Sequence, residues 1–475
     1  MFANINKYYI SVIDKDFFSY FVGLNIYENM KVLEEINLIN GFHLRFKGCN
    51  IVALSQVFLF EIKNLKDQKS LSQYLKAYSF DNVIKYFISF GLSKKKCLQN
   101  PSVIFVNDIY NFSMISNSRI LQQEFNSKII QEIICDKRIF NKNAIFLYKY
   151  SRLFKTLFDI FKMSCELVSI SNELNNLRKS FRVSKLKLWL NICDSIFIIN
   201  CIECFFAKNK GVSTVILNSD VHKISRAFVF YCKLKNIKTY VLQHGAPVGH
   251  FGYLPVYADK MFNWGNYSYD WFVKNNTSKE KLIVTGTPKT DSINSIGLKN
   301  IDFSSDSISL LVVLNPIGED LCRVFLKIIK EFLLISNKKY ELVIKLHPSS
   351  NSYKNLPAEI LDGVNYQLFH LEDLHSLIKD SDVLVSTPST AGAEAIAFYK
   401  PLLTMDFEDI KYTLAYESYD CNIKFHDAES LLVCLEDEKK LTSKLINYDG
   451  FLKEYFFKLD GRSTIRIKDY IINDE

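Results

Sequence analysis

Ser213-Thr-Val-Ile-Leu217, then Asn218-Ser-Asp220, then Ile224, Phe228, Tyr231 and Leu234, then Thr239-Tyr-Val-Leu242 running into Gln243-His-Gly245: these read as one unit within Val212–Pro255. The first run is β-branched and apolar and stops on a polar turn. The next places apolar side chains at helical spacing and closes at Asn236. The last is a short strand that delivers Gln-His-Gly at its C-terminal end. Strand, turn, helix and strand in that order predict a parallel βαβ unit. In a doubly wound sheet, ligands bind outside the carboxyl ends of the strands, where loops diverge and helix N-termini point into the crevice. Asp220 and His244 are therefore predicted to sit near one another at that rim, as candidate catalytic groups.

Working outward, 475 residues exceed one ordinary core, which predicts two domains of about 200 residues each. The composition is globular, 48% hydrophobic and 23% charged, with no repeat or low-complexity tract. Eleven cysteines are scattered singly apart from Cys201 and Cys204. That C-x-x-C lies in an apolar, helical-looking segment without a second pair at metal spacing, so buried free thiols in a reducing compartment are expected. Met1-Phe-Ala-Asn-Ile-Asn lacks the basic region and apolar core of a signal peptide. Leu186–Ala207 is interrupted by Lys187, Asp194, Asn200 and Glu203 and suits a buried helix better than a membrane span. The expected address is the cytoplasm, with a peripheral seat at the inner membrane face as an option.

Charge is uneven. Residues 1–210 hold 29 Lys and Arg against 17 Asp and Glu, and the remainder holds 30 against 34. A basic, aromatic-rich first half is compatible with nucleic acid, an anionic membrane surface or a phosphorylated lipid acceptor, and equally with a plain solvated face. No RNP-like run, zinc finger or glycine-clamp loop speaks for nucleic acid.

Before the opening unit, Tyr8–Ile13 and Ile51–Leu54 read as strands and Leu71–Ser89 as a helix. Ser102–Val106 is the clearest early strand and ends on Asn107-Asp108. Residues 119–210 read as mostly helical, with Glu124, Lys128, Glu132 and Asp136 along one face and Ile129, Ile133 and Phe140 on another. After the unit come strands at Ala258–Trp264 and Lys281–Thr285, then Gly286-Thr-Pro-Lys-Thr-Asp291. A polar run, 292–307, reads as a linker. A second series follows: strand Ser309–Leu314, helix Glu319–Leu334, strand Glu341–Leu346 entering His347-Pro348, helix Leu371–Ser381, strand Asp382–Val385, a hydroxyl-rich loop, helix Ala391–Ala397 and strand Leu402–Met405. Two such series predict α/β architecture with two doubly wound Rossmann-like domains facing across a cleft and extra helices in the first half. The expected division is 1–291, with a helical insertion around 119–210, then the linker and 308–455. A last helix in 456–475 would cross back to the first domain.

Ser386-Thr-Pro-Ser-Thr-Ala-Gly-Ala-Glu394 carries the strongest chemical signal. A strand ends, four hydroxyls follow, and a helix begins near Ser389 or Thr390. Its free N–H groups and dipole favour an anion, and small side chains such as Gly392 let a phosphate approach. An ordinary N-cap is the competing reading. Lys345-Leu-His347-Pro348 places a histidine at a strand end, because proline does not continue a central strand. Asp220 and Asp108 are rim carboxylates that could as well cap helices. No metal constellation, dinucleotide fingerprint, Walker loop or nucleophile elbow is present, so neither a metal nor a cofactor is expected.

Gln243-His-Gly245, Val284-Thr-Gly-Thr-Pro-Lys-Thr-Asp291, Lys345-Leu-His-Pro348, Ser386–Glu394 and Asp460-Gly-Arg-Ser463, in that order, resemble bacterial GT-B glycosyltransferases of surface-polysaccharide assembly. The motifs are most similar to the CDP-glycerol glycerophosphotransferase-like group, and capsule and lipopolysaccharide transferases using CMP-activated sugars share the His-Pro and the hydroxyl loop. The likeness covers roughly residues 212–470. It implies that the second domain binds a nucleotide-activated donor through Lys345, His347, Ser386, Thr387, Ser389, Thr390 and Gly392, with Glu394 on the ribose. It implies His244 as general base on a glycan or lipid-linked acceptor and His347 as stabiliser of the donor phosphate, without a bound metal. The two-acid-and-glycine motif of CMP-sialic-acid enzymes is absent. A UDP-sugar 2-epimerase-like enzyme and a non-catalytic binding protein with the same fold are the rival readings.

Overall fold

The computed structural model describes residues 45–47, 49–50, 101–108, 112–135, 144–169, 185–247, 253–293, 307–315, 319–347, 354–370, 372–387, 389–406 and 415–474. The strands expected at 8–13 and 51–54, the helix at 71–89 and nearly all of the 292–307 linker lie outside them.

Seven strands form the first sheet: β1 (Val103–Asn107), β2 (Ile130–Ile134), β3 (Ile145–Phe146), β4 (Thr214–Leu217), β5 (Lys238–Leu242), β6 (Lys260–Asn263) and β7 (Leu282–Val284). Their order is β3-β2-β1-β4-β5-β6-β7, and every pairing is parallel. The second sheet holds β8 (Ser307–Leu314), β9 (Lys339–Leu346), β10 (Tyr366–Phe369), β11 (Val383–Ser386), β12 (Leu402–Met405) and β13 (Ile423–Phe425). It runs β10-β9-β8-β11-β12-β13, again all parallel. In each sheet the chain enters at a central strand, winds outward, then returns to that strand's other side. This reversal opens a crevice between β1 and β4 in one sheet and between β8 and β11 in the other. Together they make a two-domain GT-B, Rossmann-like fold.

Continuous apolar runs become strands here because both sheet faces are covered. One face of the first sheet (Ile104, Val106, Val215, Val241, Met261) packs on α3 (Lys185–Lys208) and α4 (Lys223–Leu234). The other (Phe105, Ile216, Tyr240, Phe262) packs on α1 (Phe112–Glu124) and on the final helix, α11 (Ser463–Asp474), through Ile467 and Ile471. The last described helix thus packs on the first of the two large parallel sheets. Asp291 holds the start of that helix, accepting from Ser463 N at 2.9 Å and Thr464 N at 2.7 Å. In the second domain, α6 (Glu319–Ile335) and α9 (Ala428–Glu436) cover one face. On the other lie α7 (Leu374–Asp380), α8 (Thr390–Ala397) and α10 (Tyr448–Tyr455).

That last cluster also takes in Ala246, Trp264 and Ile293 from the first domain. Trp264 stacks on Phe456 at 5.9 Å between ring centroids and meets Tyr455 edge-on at 6.2 Å. The two domains therefore share an apolar seam, with the polar strand ends beside it.

One expectation is corrected. The helix faces expected between Glu124 and Phe140 do not form, because Ile130–Ile134 is β2, a buried strand beside β1. Glu132 lies inside, accepting from Asn107 Nδ2 at 2.5 Å, so its charge marks a sheet-end contact and not a solvated helix face. The helical reading holds for α2 (Leu153–Ser169) and α3, where Cys201 and Cys204 are buried free thiols.

Candidate functional site

Each crevice is closed by a side-chain contact across its reversal point. At the first, Asn218 donates through Nδ2 to Asn107 Oδ1, and Ser118 Oγ donates to the same oxygen at 3.1 Å. At the second, Asn315 Nδ2 donates to Thr387 Oγ1 at 2.9 Å. Polar residues that directly follow buried strands thus set the rims, as His244 and His347 do on β5 and β9. Asn315 carried that same signal, a polar residue after an unbroken apolar strand, and went unread.

His244 lies half-buried, its ring stacked flat on Tyr253 at 4.6 Å and 5°. Its Nδ1 is enclosed and has no hydrogen-bond partner. Burial, with His222 nearby, holds the imidazole down at about 3, although the Asn218 backbone works the other way. Burial likewise holds His222 at about 4, and burial with Lys345 and His370 holds His347 at about 4. All three imidazoles are neutral at pH 7. Gly245 leaves room for Tyr253, whose hydroxyl would lie 2.8 Å from an added Cβ.

Asp220 does not join His244 as a rim base. It is buried, and its Oδ2 accepts from Tyr257 N at 2.5 Å and Ala258 N at 2.8 Å. The carboxylate braces the loop after β4 against the segment entering β6. Burial raises its pKa. Asp108 also turns to backbone, accepting from Ser225 N at 3.2 Å.

In the second domain, Lys345 does not present its ammonium to a phosphate. Its buried Nζ donates to Leu346 O at 2.8 Å and His370 O at 2.9 Å, tying β9 to the end of β10. Ser389 caps α8, accepting from Ala391 N at 3.2 Å, and its own N–H donates to Tyr416 OH at 3.0 Å. Thr390 opens the helix beside it. Gly392 serves packing and not phosphate approach, since an added Cβ would stand 2.8 Å from Leu402 Cδ2 and 2.9 Å from Tyr416 Cε1. Ser386 remains. It is fully buried at the end of β11, next to the Asn315–Thr387 contact, and its Oγ has no partner.

Glu394, one turn inside α8, is the most strongly engaged group. Lys289 reaches over from the Gly286–Asp291 segment of the first domain, its Nζ donating to Oε1 at 2.6 Å. On the other side His375 Nε2 of α7 stands 3.0 Å from Oε2. Burial works to raise this carboxyl, but Lys289 and His375 overcome it and hold it at about 2. Lys289 is itself positioned by Asn117 of α1, which accepts from its backbone N at 3.0 Å. Neither Lys289 nor His375 was singled out from the sequence. Their meeting depends on how the two domains lie together, which no local pattern encodes.

These pKa directions set a pH dependence. An unfolded histidine titrates near 6.5, so below that value the unfolded chain takes up protons that folded His222, His244 and His347 refuse. Stability is fully present above about pH 6.5 and is lost as pH falls toward 4. Glu394 begins to contribute loss only below about 4.5, and Asp220, raised by burial, opposes the trend as one group against three. Thermal melts between pH 7 and 5 should show a fall on the order of 2 kcal/mol, with allowance for solvent screening. A flat or rising melting temperature over that range would mean that the imidazoles are open to solvent.

Among the described residues no group of three or more His, Cys, Asp or Glu side chains is placed to hold a metal ion. None of the described helices is long and apolar enough to cross a membrane.

The class that these sheets and rims define is the two-domain GT-B fold. Solved structures share it. A UDP-GlcNAc 2-epimerase from Neisseria meningitidis bound to UDP-GlcNAc aligns over 78% of this chain and 99% of its own, with 14% identity and a TM-score of 0.50. A structure described as a putative UDP-N-acetylglucosamine 2-epimerase from Listeria monocytogenes aligns over 79% and 96%, also with 14% identity and 0.50. The wall teichoic acid polymerase TagF with CDPG aligns over 86% and 98%, with 13% identity and 0.50. At such identities the likeness establishes the fold. No protein-family profile matches the chain, and no curated protein does.

Proposed function

We propose that the chain is a nucleotide-dependent transferase. It would move a sugar or polyol phosphate from a CMP- or CDP-type donor onto a glycan or lipid-linked glycan acceptor of a bacterial surface polymer. The observation that carries the donor side is the buried, partnerless hydroxyl of Ser386 at the reversal point, with the start of α8 just beyond it. A hydroxyl enclosed without a partner costs roughly 1–3 kcal/mol, which a bound phosphate oxygen would recover. We assign His347, at the end of the second strand from Ser386, as a neutral donor to that phosphate.

His244 is the acceptor-side group. Its neutral form can accept a proton, but held at about 3 it is a weak base. A donor phosphate seated across the seam supplies the negative charge that raises imidazole basicity. In this reading the acceptor lies on the first domain and the donor on the second.

A thermal-shift panel of CMP, CDP, UDP and GDP tests this reading. CMP or CDP should give the largest rise, about 2.7 kcal/mol of stabilisation at a hundredfold excess over Kd. His244→Ala should leave that rise intact and slow transfer at least about a hundredfold. No shift with any nucleotide sinks the reading. A shift with UDP alone, together with interconversion of a UDP-sugar, would replace it with the epimerase alternative.

A further inference from the structure

Helix α2 is built inside out. Its inward side holds one buried apolar residue, Met163, among polar ones: Asn200 Nδ2 of α3 donates to Thr156 Oγ1 at 3.2 Å and to Asp159 Oδ2 at 3.0 Å, and Trp189 Nε1 donates to Ser164 Oγ at 3.0 Å. Its outward residues are apolar. Phe154 is 88% exposed, Leu157 49%, Phe158 67% and Phe161 69%. These positions, with exposed Cys165, recur at three- and four-residue steps and so lie along one line of the helix. A helix on a water-facing surface carries the opposite pattern, and a contiguous patch of three phenylalanines and a leucine marks an interaction surface.

Charge narrows the occupant. Among the described exposed residues from Lys149 to Cys165, the charged ones are Lys149, Arg152, Lys155 and Lys162, and none is acidic. Lys155 is shared with Glu203 at 3.0 Å, and the others flank the apolar line. Half-exposed Trp189 stands at its edge with its indole N–H bonded to Ser164. Aromatic side chains flanked by basic ones on one helix face match the boundary between acyl chains and anionic headgroups.

We propose that α2 is a bilayer-docking helix, lying in the plane of an anionic membrane with Phe154, Phe158 and Phe161 in the acyl boundary and Lys149, Arg152 and Lys162 at the headgroups. The docking is peripheral and rests on this face alone, so it is independent of the transferase reading.

Co-sedimentation of the full chain with vesicles tests it. The protein should pellet with vesicles of phosphatidylglycerol and phosphatidylcholine, and at least about tenfold less with phosphatidylcholine alone. Phe154→Ser, Phe158→Ser and Phe161→Ser combined should lower binding to the anionic vesicles at least about tenfold, because each removes a buried aromatic anchor. Circular dichroism and the melting temperature should not change, since these side chains are exposed. If that variant does not fold, Lys149→Glu with Lys162→Glu should abolish the preference for anionic vesicles. Alkylation of Cys165 should be fast in solution and slowed by anionic vesicles. Three results would overturn the proposal: no pelleting with anionic vesicles, slow Cys165 alkylation without vesicles (the chain then covers the face itself), or a dimer that the phenylalanine variant dissociates. The nucleotide melts are read separately, so a failure here leaves the donor site standing.

Discussion

Glu394→Ala should cost about 3 kcal/mol of stability, because it leaves the Lys289 ammonium in the domain seam without its counter-charge. The two side chains are only 14% and 8% exposed, so water cannot replace the lost partner. The pKa gives a similar magnitude. A carboxyl held from its ordinary 4.5 down to about 2 contributes roughly 3 kcal/mol, present above pH 4.5 and lost as pH falls toward 2. Lys289→Met with Glu394→Leu should recover most of the loss, since a buried ion pair replaced by apolar groups is often neutral. Chemical denaturation of the two single variants and the double variant measures the coupling. A single-variant cost below about 1 kcal/mol would show that solvent screens the pair. The ribose assignment for Glu394 is testable in the same set. Both oxygens already face a partner, yet a carboxylate keeps further lone pairs for a hydroxyl. Glu394→Gln should therefore weaken nucleotide binding more than Lys289→Met does.

Gly265→Ala is expected to be equally damaging for a different reason. Gly265 has φ −164°, extended backbone that any residue adopts, so conformation does not demand glycine there. Proximity does. An added Cβ would lie 2.2 Å from Glu454 O and 2.5 Å from Tyr455 O, both backbone atoms of α10. Neither can rotate away, so α5 (Asn266–Lys274) and α10 must separate, pulling Trp264 off Tyr455 and Phe456. Overpacking of this kind costs about 3 kcal/mol. The melting temperature should fall, and emission from Trp264 should shift to the red as the seam opens. Gly450→Ala within the same α10 is the control. Nothing lies within 4 Å of its added Cβ, and the helix should gain about 0.5–1 kcal/mol. An unchanged melting temperature for Gly265→Ala would mean that the domain seam is not closed in solution.

Much of the architecture was legible locally. The strands at Thr214–Leu217, Lys238–Leu242 and Ser307–Leu314 announce themselves because a parallel sheet covered on both faces requires unbroken apolar runs. Strand β2 hid because Glu132 broke its run, and that carboxylate is held inside by Asn107 on the neighbouring strand and by Arg119 of α1. Short edge strands such as β10 and β13 have too few residues to show a period.

The candidate site divides in the same way. His244, His347 and Ser386 could be placed at rims from sequence, since a polar residue that ends a buried strand must emerge at the sheet's carboxyl end. What each rim residue does depended on its partners. Asp220 and Lys345 have the side chains of a catalytic base and a phosphate ligand, yet both are spent on backbone atoms. Gly392 has the size to admit a phosphate, yet its missing Cβ makes room for Leu402 and Tyr416.

The amino-acid sequence by itself determined the two doubly wound series and the residues presented at their ends, because hydrophobic period and strand termination are properties of neighbours along the chain. Only the tertiary structure decided that Lys289 meets Glu394, that Asp291 holds the start of the last helix, and that α2 turns its phenylalanines outward. Those contacts join residues far apart along the chain, and their energies come from burial and proximity, which exist only once the domains are packed.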